Sequence, residues 1–271
     1  MSKRRAFTLI ELLVVIAIIA LLMSILMPSL TRVKKQARTI ACRANLKQWG
    51  VFFSMFTQDN NGYFEAGIGD HGHTDHWFNQ LRPLYKNDHK LMCCPTATKP
   101  IFDENGVQGQ ELNIYNAWGR FWGEGYAAEG DWGSYGINGW VENPDPKKYP
   151  TVYESFDTKN CWRTPSVRGA AYIPLMMDAL RFNVFPLHTD APAQDPYQAW
   201  QGPVHMQRIC IDRHDGATSM AFLDWSVRKV DLKELWTLQW HKVYKKDGPW
   251  TQKGGVQPGD WPDWMRRYKD Y

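Results

Sequence analysis

The chain has 271 residues and a mass of 31.5 kDa, enough for one or two domains with a sizeable core. With 44% apolar, 14% aromatic and 22% charged residues, burial can offset the ordering entropy, which excludes an intrinsically disordered chain. The formal charge of +4 is unevenly held: residues 1–50 carry Lys3, Arg4, Arg5, Arg32, Lys34, Lys35, Arg38, Arg43 and Lys47 against Glu11, and the net-acidic remainder argues against a nucleic-acid-binding domain.

From Phe7 to Met27 the sequence reads FTLIELLVVIAIIALLMSILM. As a helix this run would be about 32 Å long, the thickness of a bilayer's hydrocarbon core. A cleaved secretory signal fits less well, because the run exceeds the usual ~7–15 apolar residues and no Ala-x-Ala site follows it. Glu11 sits inside the run, where a carboxylate costs on the order of 2–3 kcal/mol, and the run holds no base to pair with it. Such an acid is a functional-site candidate whose partner comes from elsewhere.

Lys3-Arg4-Arg5-Ala6 followed by Phe7-Thr8-Leu9-Ile10-Glu11-Leu12 resembles the class III signal of type IV pilins and type II secretion pseudopilins. The resemblance implies a leader at 1–6, a cut by prepilin peptidase between Ala6 and Phe7, N-methylation of the Phe7 amine, and an ion pair between Glu11 and that amine on a neighbouring subunit. The family nearly always has Gly before the cut; this chain has Ala6, also small. Pro28 matches a position where family stalk helices carry a proline, which removes a helix hydrogen bond.

The helix signal continues to Asp59, where Asn60-Asn61-Gly62 supplies a stop, so a transmembrane and stalk helix is expected over 7–60. Val33, Ala37, Ile40, Ala44, Gln48, Val51 and Met55 form one mostly apolar stripe, and Leu46, Trp49, Phe53 and Phe56 begin a second, so the end of the stalk is expected to be buried all round. The basic residues Arg32 to Lys47 read as a solvated face or a lipid-headgroup contact. Ala41 to Gln48 also resembles the stalk end of a large pseudopilin-like subfamily.

Residues 61–271 read as a globular, loop-rich antiparallel β-sheet head, giving an α+β, type IV pilin-like architecture. Asn-Gly and Asp-Gly pairs punctuate short apolar runs such as Tyr172 to Met177 and Ser219 to Leu223. Thr218 to Val230 suggests two strands around Asp224-Trp225, and Asp231 to Glu234 a capping box opening a helix over Leu232 to Trp240. The subfamily resemblance returns at His214, nine residues and Asp224, at Cys94-Pro95, and at Ser134-Tyr135-Gly136-Ile137-Asn138. Trp225 stands where that signature has Gly and tolerates positive φ poorly, so a wider or type I turn is expected. From Gly248 to Tyr271 the resemblance is absent.

Signals for chemistry are weak. His71, His73 and His76 crowd a Gly-rich stretch with no standard metal spacing, and read as a polar loop rather than a metal site. Pseudopilins near the major type II secretion subunit hold calcium in a C-terminal loop, which makes Asp212, Asp215 and Asp224 candidate ligands; no other cofactor is expected. His214 and Asp224 read as hydrogen-bonding turn residues, because no nucleophile elbow or paired catalytic carboxylates accompany them. Five cysteines on an extracytoplasmic chain leave at least one unpaired. The subfamily positions of Cys42 and Cys94 imply a disulfide between them, with Cys161–Cys210 a second candidate. The fourteen tryptophans suit cores and subunit interfaces, or alternatively a sugar-stacking surface.

The expectation is a non-enzymatic structural subunit: a homo-oligomer in a type IV pilus or pseudopilus-like helical filament. The resemblance places it as a single-pass protein of the bacterial inner membrane, N-terminus cytoplasmic, before assembly into a periplasmic or surface filament. Its partners are prepilin peptidase and an inner-membrane assembly platform, with no nucleic acid. The alternatives are a minor tip pilin whose Trp-rich head binds surface polysaccharide, and a membrane-anchored periplasmic enzyme.

Overall fold

The computed structural model describes residues 9–67, 76–103, 105, 107–109, 112–119, 131–152, 156–199 and 204–271. Its first element, α1 (Leu9–Asp59), is one helix of 51 residues, about 76 Å long at 1.5 Å per residue. It continues through Pro28, which withholds an N–H from the Ser24 carbonyl. It stops at the Asn-Gly signal: Asn61 and Gly62 take φ of 55° and 84°, and the Gly62 amide donates to the Thr57 carbonyl at 2.7 Å.

Residues 9–38 are exposed, and the helix is long and apolar enough to cross a membrane. Beyond them the head covers one face: Cys42, Leu46, Trp49, Gly50, Phe53 and Thr57 are buried, whereas Ile40, Val51 and Met55 are exposed. This corrects the expected all-round burial. A sheet presents one surface to a helix and covers an arc of it, so the second apolar stripe docks and the first stays in the open.

The strands of the described head are short: β1 (Lys99–Pro100), β2 (Asn116–Gly119), β3 (Trp132–Gly133), β4 (Tyr135–Asn138), β5 (Thr151–Val152), β6 (Phe156–Asp157), β7 (Pro174–Asp178), β8 (Asn183–Val184), β9 (Ala217–Phe222) and β10 (Val227–Asp231). The central sheet has the order β10-β9-β7-β4-β8. Its pairs are antiparallel except β4–β8, and β1–β2 is also parallel, so the head is mixed rather than purely antiparallel. The exception arises because the chain reverses after β7 and passes β4 at Gly136, where a Cβ would strike the Arg181 carbonyl, before pairing on β4's far side.

Both faces of this sheet are covered. One packs Tyr135, Ile137, Leu175 and Ala221 against Leu46, Trp49 and Phe53 of α1. The other packs Met177, Met220 and Phe222 under Trp140, Trp236, Trp240, Trp261 and Met265. Burial on both sides leaves β9 without polar alternation, and all six of its residues are buried. Gly248 to Tyr271, which matched no motif, supplies Trp261 and Met265 and is tied down by Lys233 Nζ to Asp270 at 2.7 Å and Tyr271 Oη to Asp231 at 2.6 Å.

The β9–β10 connection is a three-residue turn closed by Phe222 and Ser226, wider than a tight hairpin. Contrary to expectation, Trp225 does adopt the left-handed conformation, with φ of 66°. Its carbonyl accepts from Lys47 Nζ at 2.8 Å and its ring packs beside Phe64, so docking onto the stalk offsets the backbone strain. Glu234 accepts from the Asp231 amide at 3.4 Å, but the helix it opens is a 3-10 turn over Leu232–Thr237, shorter than the sequence suggested.

Just past α1, Glu65 is buried, and neither carboxylate oxygen makes a hydrogen bond among the described residues. Burial pushes its pKa up to about 7 and also drives that of buried Glu142 upward, Glu65 adding a like-charge contribution there. A carboxyl raised from 4.5 to about 7 carries a penalty on the order of 3 kcal/mol once ionised. Because the folded pKa is the higher one, stability is full below about 4.5 and is lost as pH rises through 7. Glu65→Gln should therefore match wild type near pH 4.5 and be the more stable protein above pH 7, by urea midpoint. A difference independent of pH would contradict this.

Candidate functional site

Where α1 meets the sheet, four separate segments converge on one buried cluster. The helix presents Thr39 and Cys42, one turn apart on the face that meets the head. Cys94 is fixed by its amide, which donates to Ser134 Oγ at 2.6 Å. Asp178 ends β7, and His214 stands just before β9, ahead of a turn through Asp215 and Gly216 at φ of 60° and 77°. Cys42, Cys94, Asp178 and His214 are all buried, and one ligating atom from each lies within 4.8 Å of the others.

His214 Nε2 is 3.0 Å from Asp178 Oδ2 and 3.4 Å from Cys94 Sγ, while Nδ1 is 3.1 Å from Thr39 Oγ1. Cys42 Sγ lies 3.4 Å from Asp178 Oδ2 and accepts from Tyr135 Oη at 3.3 Å. Arg213, its side chain fully buried, donates to the carbonyls of Ile114, Ser134 and Asn116 at 2.5, 2.9 and 2.9 Å and places Nη1 3.5 Å from Asp178 Oδ1. Burial opposes ionisation of Asp178, but the charges of His214 and Arg213 outweigh it and bring the carboxyl down to about 2. Burial likewise works against the His214 imidazolium, which Asp178 restores, raising it to about 10. Burial drives the Cys42 thiol well up, whereas hydrogen bonds with Cys42 and His214 bring Cys94 down to about 7.

The arrangement differs from that of a Ser–His–Asp relay. In such a relay the nucleophile and the acid face opposite ring nitrogens, whereas here Cys94 and Asp178 share Nε2 and a threonine takes Nδ1.

Other residues singled out by sequence do not converge. Ala6, Phe7, His71 and His73 lie outside the described residues. Glu11 and Pro28 lie on the exposed part of α1. His76 is buried, stacked on Phe78 and edge-on to Phe182. Asp212 accepts from the Gly216 amide and Tyr268 Oη, and Asp215 lies in the turn before β9. Asp224 caps its own turn through Ser226 beyond the strand's other end, about 20 Å along a six-residue strand. The three aspartates thus share no coordination shell, while His214 and Asp224 are both hydrogen-bonded at the two ends of β9, His214 to Asp178 and Asp224 to Ser226. All five cysteines are buried free thiols. The expected Cys42–Cys94 disulfide is replaced by two adjacent thiols within this cluster; Cys161 lies at the end of a 3-10 turn, and Cys210 Sγ is 3.9 Å from Met265 Sδ. Asp178, Arg213 and Thr39 carried no motif, and the one available sign was an acid directly after the apolar run Tyr172 to Met177.

Residues 1–27 match the family described as prokaryotic N-terminal methylation motif. Over 63 residues, 23% of the chain, it is 44% identical to the type IV wide pilus major component PilA4 of Thermus thermophilus. That stretch covers 48% of the relative, so the chain spans about half the length of the curated protein it matches. No solved structure matches the chain.

Removing Arg213 would leave three buried carbonyls without their donor and take from Asp178 one of its two cations, leaving His214 alone to face it. Arg213→Met should lower stability by about 3–5 kcal/mol, whereas breaking the more exposed Arg228–Glu234 pair with Arg228→Met should cost about 1 kcal/mol or less. Urea denaturation of the full chain in detergent measures both; equal effects would contradict the ranking.

Proposed function

We propose that this type IV pilin-like chain is a structural subunit of a type IV pilus or type II secretion pseudopilus-like filament. One observation carries the reading: thirty residues of α1, 9–38, project from the head with their apolar surface uncovered, and their first part, to residue 27, lies within the matched methylation motif. A surface of that length needs a bilayer or neighbouring helices to cover it. Before assembly the bilayer serves, with the subunit in the bacterial inner membrane and its N-terminus cytoplasmic. After prepilin peptidase cuts between Ala6 and Phe7 and the new amine is methylated, an inner-membrane platform passes the subunit into the filament, where other copies of the helix take the lipid's place.

The exposed stripe Val33, Ala37, Ile40, Ala44, Val51 and Met55 extends the packing surface along the stalk. Glu11 selects the register, because a carboxylate held in apolar packing favours the arrangement that brings it to the Phe7 amine of the next copy. The head faces outward. A tip pilin with a sugar-stacking surface gains no support, since every described tryptophan is buried or half-buried. Nor does an enzyme, given the arrangement around His214.

Mass spectrometry of the mature N-terminus should find Phe7 carrying one methyl group; an intact Met1, or a cut after the apolar run, would contradict the processing step. Glu11→Ala should still insert and be cut, because its helix is more apolar. It should not form filaments alone, since the unpaired amine costs on the order of 3–5 kcal/mol. Normal filament number and length from Glu11→Ala subunits would rule out the ion-pair mechanism.

A further inference from the structure

We infer that Cys42, Cys94, Asp178 and His214 form a binding site for one divalent, zinc-type cation that fastens the stalk helix to the head. The donor set is two sulfurs, an imidazole nitrogen and a carboxylate oxygen, the combination that suits a tetrahedral site of this kind. Metal–ligand bonds of 2.0–2.3 Å imply ligand–ligand edges of about 3.3–3.8 Å in a tetrahedron. The edges Asp178–His214, His214–Cys94 and Cys42–Asp178 measure 3.0, 3.4 and 3.4 Å. The remaining three edges are all within 4.8 Å, so the four donors need only a small inward movement to close on one ion.

Hydrogen bonding around the cluster gives a second, independent argument. Thr39 Oγ1 donates its single proton to the Lys35 carbonyl at 3.1 Å, so toward His214 Nδ1 it can only accept, and Nδ1 must carry the hydrogen. Nε2 is then the ring atom aimed at Asp178 Oδ2 and Cys94 Sγ, the place a proton holds in the His214–Asp178 ion pair and a cation would take instead. A backbone-anchored oxygen on the second nitrogen is also how liganding histidines are usually oriented. Each remaining ligand is supported in turn. Tyr135 Oη donates to Cys42 Sγ, Thr96 Oγ1 lies 3.0 Å from Cys94 Sγ, and the Ser219 amide donates to Asp178 Oδ2 at 3.3 Å.

Charge closes as well. A divalent cation with two thiolates and a carboxylate leaves one surplus negative charge, and the buried guanidinium of Arg213 beside Asp178 offsets it. On binding, the two thiol protons and any proton on His214 Nε2 are released to solvent as the metal bonds form. A disulfide would use two of the four groups and leave the convergence of Asp178 and His214 on both sulfurs without a purpose. The ligands come from α1, the segment after His89–Met92, the end of β7 and the segment leading into β9, so one ion would close loops joining the stalk to three parts of the head.

The test uses the full-length chain in detergent, purified without a histidine tag under mild reductant and mixed with zinc or cobalt(II). Elemental analysis should find one zinc per chain, and cobalt should give the intense visible bands of a tetrahedral thiolate site together with sulfur-to-metal charge transfer. Cys94→Ser and His214→Asn should lose the ion, Thr39→Val should weaken it about 10–100-fold as a positioning residue, and Cys161→Ser should retain it. The cobalt spectrum of wild type needs no variant to fold. A Cys42–Cys94 disulfide formed in the presence of zinc, an octahedral cobalt spectrum, or metal retained by Cys94→Ser would overturn the proposal. Because the chain is unassembled in this experiment, the outcome does not depend on whether it forms filaments.

Discussion

The docking of one helical arc onto one sheet face governs the rest of the structure. Cys42, Leu46, Trp49, Phe53 and Thr57 return every three or four residues to the same side of α1, and the sheet supplies Tyr135, Ile137, Leu175 and Ala221 to meet them. That contact decides which surface of a 51-residue helix is satisfied within the chain. Everything N-terminal to it, and the opposite face beside it, must find a bilayer or another subunit. A helix buried all round would have no surface left to offer; a helix free all round would have no head to carry.

Polar groups refine this contact at its edges. Lys47 holds the Trp225 carbonyl of the β9–β10 turn, Asn45 donates to the carbonyls of Lys90 and Cys93, and Trp49 donates its indole N–H to Leu91. The Asp178 cluster closes the same seam from inside. Its charged members are acceptable there because Arg213 spends its donors on three carbonyls and the Asp178 carboxylate stands between the Arg213 and His214 cations. The sheet's other face depends on a different device: the C-terminal segment contributes Trp261 and Met265 to cover strands that would otherwise be half exposed.

The elements legible in sequence, most of them in the first sixty residues, are those where local chemistry dominates. The apolar run, the Asn-Gly stop and the capping residues around Asp231 and Glu234 act within a few residues, and each stands in the structure where the sequence puts it. The head is harder to read. Its strands are two to six residues long, and the parallel β4–β8 pair depends on a reversal that no local pattern announces. Trp225 adopts a conformation its own side chain disfavours because Lys47, 178 positions away, rewards it. The junction cluster shows both sides of this. Cys42, Cys94 and His214 stand out in sequence, whereas Asp178 and Thr39 gain meaning only when four distant segments meet.

The central claim is that the exposed length of α1 is covered by copies of itself. Electron cryomicroscopy of filaments sheared from the producing cells tests it most directly. The account predicts a core of closely packed α1 helices, with residues 9–38 facing neighbouring helices and the heads arrayed outside. Finding the chain only as a dispersed membrane protein, or in filaments held together by head-to-head contacts with α1 excluded from the core, would contradict it.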